Sequence, residues 1–243
     1  QLFEKKYSAY SYILADATRG EGIIIDPVLE TVDRDLNLLK ELCIKLRFIL
    51  ETHVHADHIT SSGIIADKTG APIAMSAHSG AQMDLPLHQG QELIFGHFAI
   101  KALETPGHTN GCMSYVINKY VFTGDALLIR GNGRTDFQYG CAQTLYESIM
   151  QKLYVLPEDT LVFPAHDYSG FTCSSIGMEK KYNKRINEGT SKQEFVQTMN
   201  SLHLDLPQRM EVTVPANLLC GRVTWVAKYI VCILLMRSLR DTI

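Results

Sequence analysis

The sequence has few of the features that identify several common protein classes. Its six cysteines are widely scattered and form no C-x-x-C pair, which argues against a disulfide framework and against a cysteine-rich zinc site. The formal net charge is only -3 with acids and bases interspersed, so no basic stripe can follow a phosphate backbone. We therefore expect reduced thiols in an intracellular compartment and no nucleic-acid partner.

Long hydrophobic runs are also scarce. The apolar stretch from residue 223 to residue 236 has 14 residues, whereas a helix that spans a bilayer needs about 20. Arg222 and Lys228 oppose a longer span, so we expect a buried or interfacial helix rather than a membrane anchor. The chain begins at Gln1 rather than at methionine, and we expect a processed form or a fragment without its targeting segment.

The composition is that of a globular protein, with 46% hydrophobic and 20% charged residues among 243, enough for one large or two small domains. Apolar runs at 10–14 and 22–26 predict an initial hairpin, and a stripe of apolar residues predicts a helix over 32–43 that Thr31 can cap. We expect further strands at 46–50, 72–75, 95–103, 113–117, 120–124 and 160–164, and further helices at 59–69, 142–156 and 191–202.

The chemistry is concentrated in the run Thr52-His-Val-His-Ala-Asp-His58, which carries three histidines and one aspartate within six residues. If the preceding strand continues to residue 55, His53 and His55 project to one side. Asp57 and His58 precede a helix and can reach the same cavity from the other side. The alternative is a histidine-rich surface loop, but clustered ligand types with regular spacing favour a metal site.

Three later strand-to-loop junctions present the same residue types. His108 follows a Pro-Gly turn, Asp125 follows an apolar strand and Gly124, and His166 follows the strand at 160–164. Taken alone, His108 could be an ordinary loop residue and Asp125 a helix cap or turn residue. Because an α/β scaffold presents functional groups along one edge of its sheets, we interpret them as parts of one site. Asp26 precedes a proline and can be either a ligand or a turn residue.

The candidate groups are His53, His55, Asp57, His58, His108, Asp125 and His166. They suffice for two metal ions bridged by Asp125, or for one ion with surrounding partners. One ion held by two histidines and a carboxylate would leave positions for O2 and substrate, as in non-haem Fe(II) oxygenases. Two zinc ions would instead activate a hydroxide to attack a thioester or amide carbonyl. The spacing alone leaves both possibilities open.

A glycine-punctuated loop at 127–137 contains two arginines and lacks the spacing of a phosphate-binding P-loop. An arginine here could bind a carboxylate-bearing substrate through two hydrogen bonds, or could pair with Asp136 on the surface. His78 and His88 have no ligand-type neighbour at useful spacing. We expect them, and His97, to be solvated or structural histidines.

The pattern from His53 to His58, with the later Pro-Gly-His108, Thr-Gly-Asp125 and Pro-Ala-His166, resembles the metallo-β-lactamase superfamily. That resemblance implies an α+β fold, a four-layer αββα sandwich. Within the superfamily, the segments at 129–138, 164–171 and 214–217 resemble the mitochondrial persulfide dioxygenases rather than glyoxalase II. The resemblance covers residues 1 to about 221, which implies a catalytic domain over 1–221 and an atypical apolar tail over 222–243.

What the resemblance implies is a glutathione-dependent dioxygenase of sulfide catabolism that converts glutathione persulfide, O2 and water to sulfite and glutathione. It implies one Fe(II) per chain, a mitochondrial matrix location and a homodimer. The implied iron ligands are His53, His108 and Asp125, the other catalytic residues are His55, Asp57, His58 and His166, and the persulfide substrate is contacted by Arg134 and Tyr168.

This chain has Asn132 where the persulfide dioxygenases carry cysteine, so a cysteine at that position is not required for chemistry in this protein. Two other hypotheses stay open. One is a dinuclear zinc thioester hydrolase of the glyoxalase II type, which would use all seven candidate groups. The other is a non-enzymatic thiol chaperone or membrane-tethered variant in which residues 222–243 dominate.

Overall fold

The computed structural model describes residues 1–205, 207 and 209–222. The predicted tail helix and the predicted boundary between 221 and 222 therefore stay predictions, because the tail from 223 onward lies outside these residues. The strands are β1 (Leu2–Glu4), β2 (Ala9–Asp16), β3 (Glu21–Ile25), β4 (Lys45–Leu50), β5 (Ile73–Ser76), β6 (Leu85–Leu87), β7 (Glu92–Phe95), β8 (Phe98–Glu104), β9 (Met113–Ile117), β10 (Tyr120–Gly124), β11 (Leu161–Pro164) and β12 (Ser174–Ser175). The helices are α1 (Val32–Glu41), α2 (Ser62–Thr69), α3 (Ala142–Ser148), α4 (Ile176–Tyr182), α5 (Lys192–Asn200) and α6 (Met210–Leu218).

The strands form two six-stranded mixed sheets. The first sheet has the order β1-β2-β3-β4-β5-β6, and the second has the order β12-β11-β10-β9-β8-β7. In the first sheet β3, β4, β5 and β6 run parallel to one another. In the second sheet the only parallel pair among the described strands is β10 with β11.

Side-chain alternation along the strands builds three apolar layers. In β3, Ile23 and Ile25 enter the core shared by the two sheets, whereas Ile24 faces the opposite side and packs with α1 and α2. In β10, Phe122 enters the shared core and Val121 packs with α3 and α5. The predicted α+β, four-layer αββα sandwich is thereby confirmed.

The site depends on where the parallel strands end. The carboxyl ends of β3 and β4 lie side by side in the first sheet, and those of β10 and β11 lie side by side in the second. Parallel neighbours leave a sheet at the same edge, where α/β proteins place their ligands. These ends lead into Asp26, into the run that begins at Glu51, into Asp125 and into His166.

Most predicted elements are found, but some boundaries differ. The predicted strand at 95–103 contains a turn at Gly96 and His97 that separates β7 from β8, with Gly96 at a φ of 56°. The helix predicted from Ile59 begins only at Ser62, because Thr60 is still extended and pairs with Val28. Thr31 precedes α1 without capping it through its side chain. Ser191 and Glu194 form a capping box at the start of α5.

The helix predicted over 142–156 is made of α3 followed by a π-helical turn at Ile149–Leu153. Cys43, Cys112, Cys141, Cys173 and Cys220 are free thiols in the described structure. Among the described helices, none combines the length and the apolarity that a membrane crossing requires.

Candidate metal centre

The loop after β4 buries three imidazoles at the carboxyl edge of the first sheet. His53, His55 and His58 are each at most 2% exposed. The hydroxyl of Thr52 donates to Asp26 Oδ2 at 2.7 Å, so it accepts from His53 Nδ1 at 2.9 Å. His53 is therefore protonated on Nδ1, and its Nε2 lone pair is free to bind a metal ion.

His108 is oriented in the same way from the second sheet. Its Nδ1 lies 2.6 Å from the carbonyl oxygen of Arg134, which can only accept, so Nδ1 carries the hydrogen. Its Nε2 lies 3.7 Å from Asp125 Oδ2. Such hydrogen bonds to the second ring nitrogen are the usual way in which proteins orient a metal-binding histidine.

Asp125 completes the first group of ligand-type atoms. Its Oδ1 binds His166 Nδ1 at 2.8 Å, which leaves Oδ2 facing His108. The ligand-type atoms of His53, His108 and Asp125 all lie within 4.8 Å of one another. Burial and the charge of His55 hold the pKa of His53 well below its ordinary value, and burial also lowers the pKa of His108, so both rings are neutral.

His55, Asp57, His58 and His166 form a second group. Asp57 Oδ2 lies 3.1 Å from His166 Nε2 and 3.1 Å from His58 Nδ1. Burial alone would lower the pKa of His166, but the charges of Asp125 and Asp57 raise it well above its ordinary value. The same pairing outweighs burial at both aspartates and holds the pKa of each carboxyl low. His166 therefore bridges the two groups as a hydrogen-bonded cation.

One ring nitrogen of His55 faces two buried carboxylates, and the ring centre of His55 lies 4.0 Å from that of His53. Its Nε2 lies 3.4 Å from Asp26 Oδ1 and 3.7 Å from Glu51 Oε2. Burial and the charge of Asp26 raise the pKa of Glu51 to about 8. Burial lowers the pKa of His55, but Asp26 and Glu51 raise it above its ordinary value overall.

The sequence reasoning missed Glu51 and left Asp26 open between a ligand and a turn residue. Asp26 is buried, has a φ of 48° and accepts from the backbone N–H of Thr52 at 2.7 Å. It therefore holds the start of the histidine run. The signal that could have found it is its place at the end of β3, the parallel neighbour of β4.

The second missed contributor is Asn217, which lies at the end of the segment 214–217. Its Nδ2 donates to the carbonyl oxygens of His55 and His58, each at 2.8 Å, and its Oδ1 accepts from the N–H of Thr60 at 2.9 Å. Thr213 donates to the carbonyl oxygen of Ala56. Helix α6 thus holds the backbone of the histidine run from outside the sheet.

Arg134 and Tyr168, the predicted substrate contacts, both line a cavity of about 590 Å³ that also exposes His53, His108 and Asp125. Arg134 makes two hydrogen bonds to Asp136, of 2.7 and 2.6 Å. This is the pairing with Asp136 that the sequence offered as the alternative to substrate binding. It also donates to the carbonyl oxygens of residues 204 and 205. The ring of Tyr168 stacks on His166, with 6.1 Å between the ring centres.

The glycine loop contributes to the same wall. Asn132 is buried, lines the cavity and donates to the carbonyl oxygen of Gly133 at 2.8 Å. His78 and His88, predicted to be solvated or structural histidines, are both exposed. They also lie beside one another and beside Glu104, neighbours that are distant in sequence.

The donor set fits a divalent transition-metal ion. Two neutral imidazoles present free Nε2 atoms and one carboxylate presents Oδ2. The Nδ1 atom of each imidazole and Oδ1 of the carboxylate are held by hydrogen bonds. Zinc and non-haem iron both accept such ligands.

Comparison with known proteins agrees with this fold. The family model described as the metallo-beta-lactamase superfamily matches residues 6–97 and 82–166. The chain is 48% identical to the Homo sapiens protein named persulfide dioxygenase ETHE1, mitochondrial, over 91% of this chain and 87% of that protein. The Mus musculus protein of the same name is 47% identical over the same shares.

Among solved structures, ETHE1 from Myxococcus xanthus superposes with a TM-score of 0.89 at 46% identity, over 91% of this chain and 98% of that chain. A metallo-beta-lactamase from Staphylococcus aureus shares the fold at a TM-score of 0.82 and 24% identity, over 90% of this chain and 72% of that chain. The chain therefore belongs to the metallo-β-lactamase superfamily and, within it, to the family of its ETHE1 relatives.

Gly124→Ala should weaken metal binding by about tenfold or more, the scale of losses seen when ligand-orienting groups are disturbed. Gly124 has a φ of 54°, and a Cβ there would lie 2.7 Å from Thr52 Oγ1, the atom that orients His53. Affinity for Fe²⁺ and Zn²⁺ would be measured by competition with a chromophoric chelator, with circular dichroism as a check of folding.

Gly131→Ala is the matched control, because a Cβ at Gly131 meets nothing within 4 Å. It should keep wild-type affinity. Equal affinities in both variants would mean that the approach of Gly124 to Thr52 does not position the ligands.

Proposed function

We propose that the protein is an iron-dependent persulfide dioxygenase that converts glutathione persulfide, O2 and water to sulfite and glutathione. The observation that carries the proposal is the group of His53, His108 and Asp125, whose ligand-type atoms lie within 4.8 Å of one another. Relatives 47–48% identical to this chain are named persulfide dioxygenases, which supports the same reaction.

His53, His108 and Asp125 would hold the iron. Two imidazoles and one carboxylate leave positions open, and a bound iron would bring the persulfide sulfur and O2 together for electron transfer. In the balanced reaction the outer sulfur gains three oxygen atoms, two from O2 and one from water, and glutathione leaves as the thiol.

The second histidine group would position the ligands rather than bind a second ion. Asp125 Oδ1 is bound to His166 at 2.8 Å, which leaves only Oδ2 for a metal ion. Asp57 is likewise engaged by His166 and His58. These hydrogen bonds support one iron per chain, with His166 holding a proton at Nδ1 beside Asp125.

The walls of the cavity suit a substrate that carries carboxylates. Four hydrogen bonds tie Arg134 to Asp136 and to the carbonyl oxygens of 204 and 205, so we propose that it holds the cavity wall in place. Lys184 also lines the cavity and makes no hydrogen bond or ion pair with any other residue the structure describes. Glutathione has two carboxylates, and we propose that Lys184 binds one of them while Tyr168 covers the reacting end.

A dinuclear zinc thioester hydrolase is the second candidate. The observation in its favour is that His55, Asp57, His58 and His166 place four ligand-type atoms within 4.8 Å of one another. In that case this second group, including His55, would bind a metal ion directly.

The mitochondrial matrix location is part of the proposal, supported by the mitochondrial names of the mammalian relatives. The homodimer stays a prediction from the resemblance.

Anaerobically iron-loaded protein should consume O2 when glutathione persulfide is added and release sulfite in equal amount. His108→Ala should abolish both because it removes a proposed ligand, whereas His97→Ala should retain them. An oxygen electrode and a sulfite assay on the same sample would measure this. Failure of folded, iron-replete protein to consume O2, with hydrolysis of a glutathione thioester by the zinc form, would establish the hydrolase instead.

His55→Ala should leave the iron content close to that of wild type, because His55 faces Asp26 and Glu51. His53→Ala should lose the iron. Metal analysis after gel filtration would measure the content, with thermal unfolding and the milder His55→Gln variant as checks that the buried site still folds. Loss of metal from folded His55 variants would favour the dinuclear centre.

Lys184→Gln should raise the KM for glutathione persulfide about three- to tenfold and change kcat little, since it removes a charge-assisted contact remote from the reacting sulfur. Lys181→Gln is the control, because Lys181 lies over the Tyr182 ring and not in the cavity. Initial rates of O2 uptake would give both constants. An unchanged KM in Lys184→Gln would exclude this contact.

A further inference from the structure

Three ligand-type side chains that do not line the catalytic cavity meet on the surface. His78 follows β5, His88 follows β6, and Glu104 ends β8. One ligand-type atom of each lies within 4.8 Å of the others. They are 10 to 26 residues apart in the chain, so only the fold brings them together.

The topology explains the meeting. β5 and β6 are parallel neighbours with Ser76 opposite Leu87, so His78 and His88 leave the first sheet at the same edge. Glu104 arrives from the second sheet. Gln89 holds it there, because Gln89 N–H donates to Glu104 Oε1 at 3.1 Å and Glu104 N–H donates to Gln89 Oε1 at 2.8 Å.

The distances suit shared binding of a small cation. His78 Nε2 lies 3.7 Å from Glu104 Oε1, close to the separation of about 3.4 Å between two ligands on a tetrahedral zinc ion with bonds of about 2.0–2.2 Å. The rings of His78 and His88 are 6.3 Å apart and nearly perpendicular. Neither ring makes a hydrogen bond within the part of the chain that the structure describes.

The surroundings leave the carboxylate available. Lys152 approaches, but its Nζ binds the backbone carbonyl oxygen of Glu104 at 2.5 Å and lies 3.5 Å from Gln89 Oε1. The side chain of His78 is 62% exposed and that of Glu104 is 24% exposed, so water can occupy the remaining positions around an ion.

We propose that His78, His88 and Glu104 form a surface site for a divalent transition-metal ion of the zinc class, separate from the catalytic centre. Two imidazoles and one carboxylate favour zinc, copper or nickel over calcium and magnesium, which prefer oxygen ligands. A bound ion would join three loops across the two sheets. One of them is the loop that begins at Glu104 and carries His108.

The test uses tag-free protein whose catalytic centre has first been loaded with iron. Equilibrium dialysis against zinc chloride, followed by metal analysis for both zinc and iron, should show one zinc more in wild type than in His78→Ala or His88→Ala. Glu104→Gln should lower the affinity of this site for zinc by about tenfold or more. His97→Ala, which removes an exposed histidine paired with Asp16, should match wild type.

Thermal unfolding supplies a second measurement, because an ion that binds only the folded chain raises the melting temperature. Zinc should raise it more in wild type than in His78→Ala, both iron-loaded. Equal zinc content in wild type and in the His78 and His88 variants would overturn the proposal. The iron measurement separates that result from exchange of metal at the catalytic centre, so the outcome does not depend on the proposed reaction.

Discussion

The candidate metal centre depends on the contact between Asp26 and Thr52. The Asp26 carboxylate, at the end of β3, accepts from both the backbone N–H and the hydroxyl of Thr52, at the end of β4. Hydrogen bonds to a charged acceptor contribute about 1.5–3 kcal/mol each, and burial keeps water from competing. The contact leaves the Thr52 hydroxyl as an acceptor for His53, which fixes the ring nitrogen that faces the cavity.

The other two proposed ligands are also held by a hydrogen bond to the atom that faces away from the cavity. The carbonyl oxygen of Arg134 holds His108, and His166 holds Asp125 through Oδ1. His55 faces a buried acidic pair, of which Glu51 is bound by the hydroxyls of Thr60 and Ser62. A ligand set that could serve two ions is thus divided into two groups. In the first, hydrogen bonds orient free atoms toward the cavity. In the second, Asp57 and His166 bind each other, whereas both ring nitrogens of His55 and Nε2 of His58 lack a hydrogen bond among the described residues.

Apolar periodicity predicted most strands and helices, because burial between the two sheets and under the helices imposes it directly, whereas the four-layer αββα architecture followed from the family resemblance. The runs at β3, β4, β9, β10 and β11 are buried strands. Periodicity failed where a local contact overrides it. Gly96 turns the chain within a run that remains apolar on both sides, and α2 starts late because Thr60 is held extended by Val28 and Asn217.

The sequence by itself determined the residue types of the site, since closely spaced histidines and aspartates after buried strands have few uses other than metal binding. It could not determine which of the seven groups share one ion. That depends on the positions of side-chain atoms to within about an ångström and on hydrogen bonds from elsewhere in the chain. Asn217 lies 162 residues from His55, whose backbone it holds. The approach of Asp26 to His55 was decided by sheet order, and the meeting of His78 with Glu104 by the packing of the two sheets, because contacts between distant segments carry no local sequence pattern.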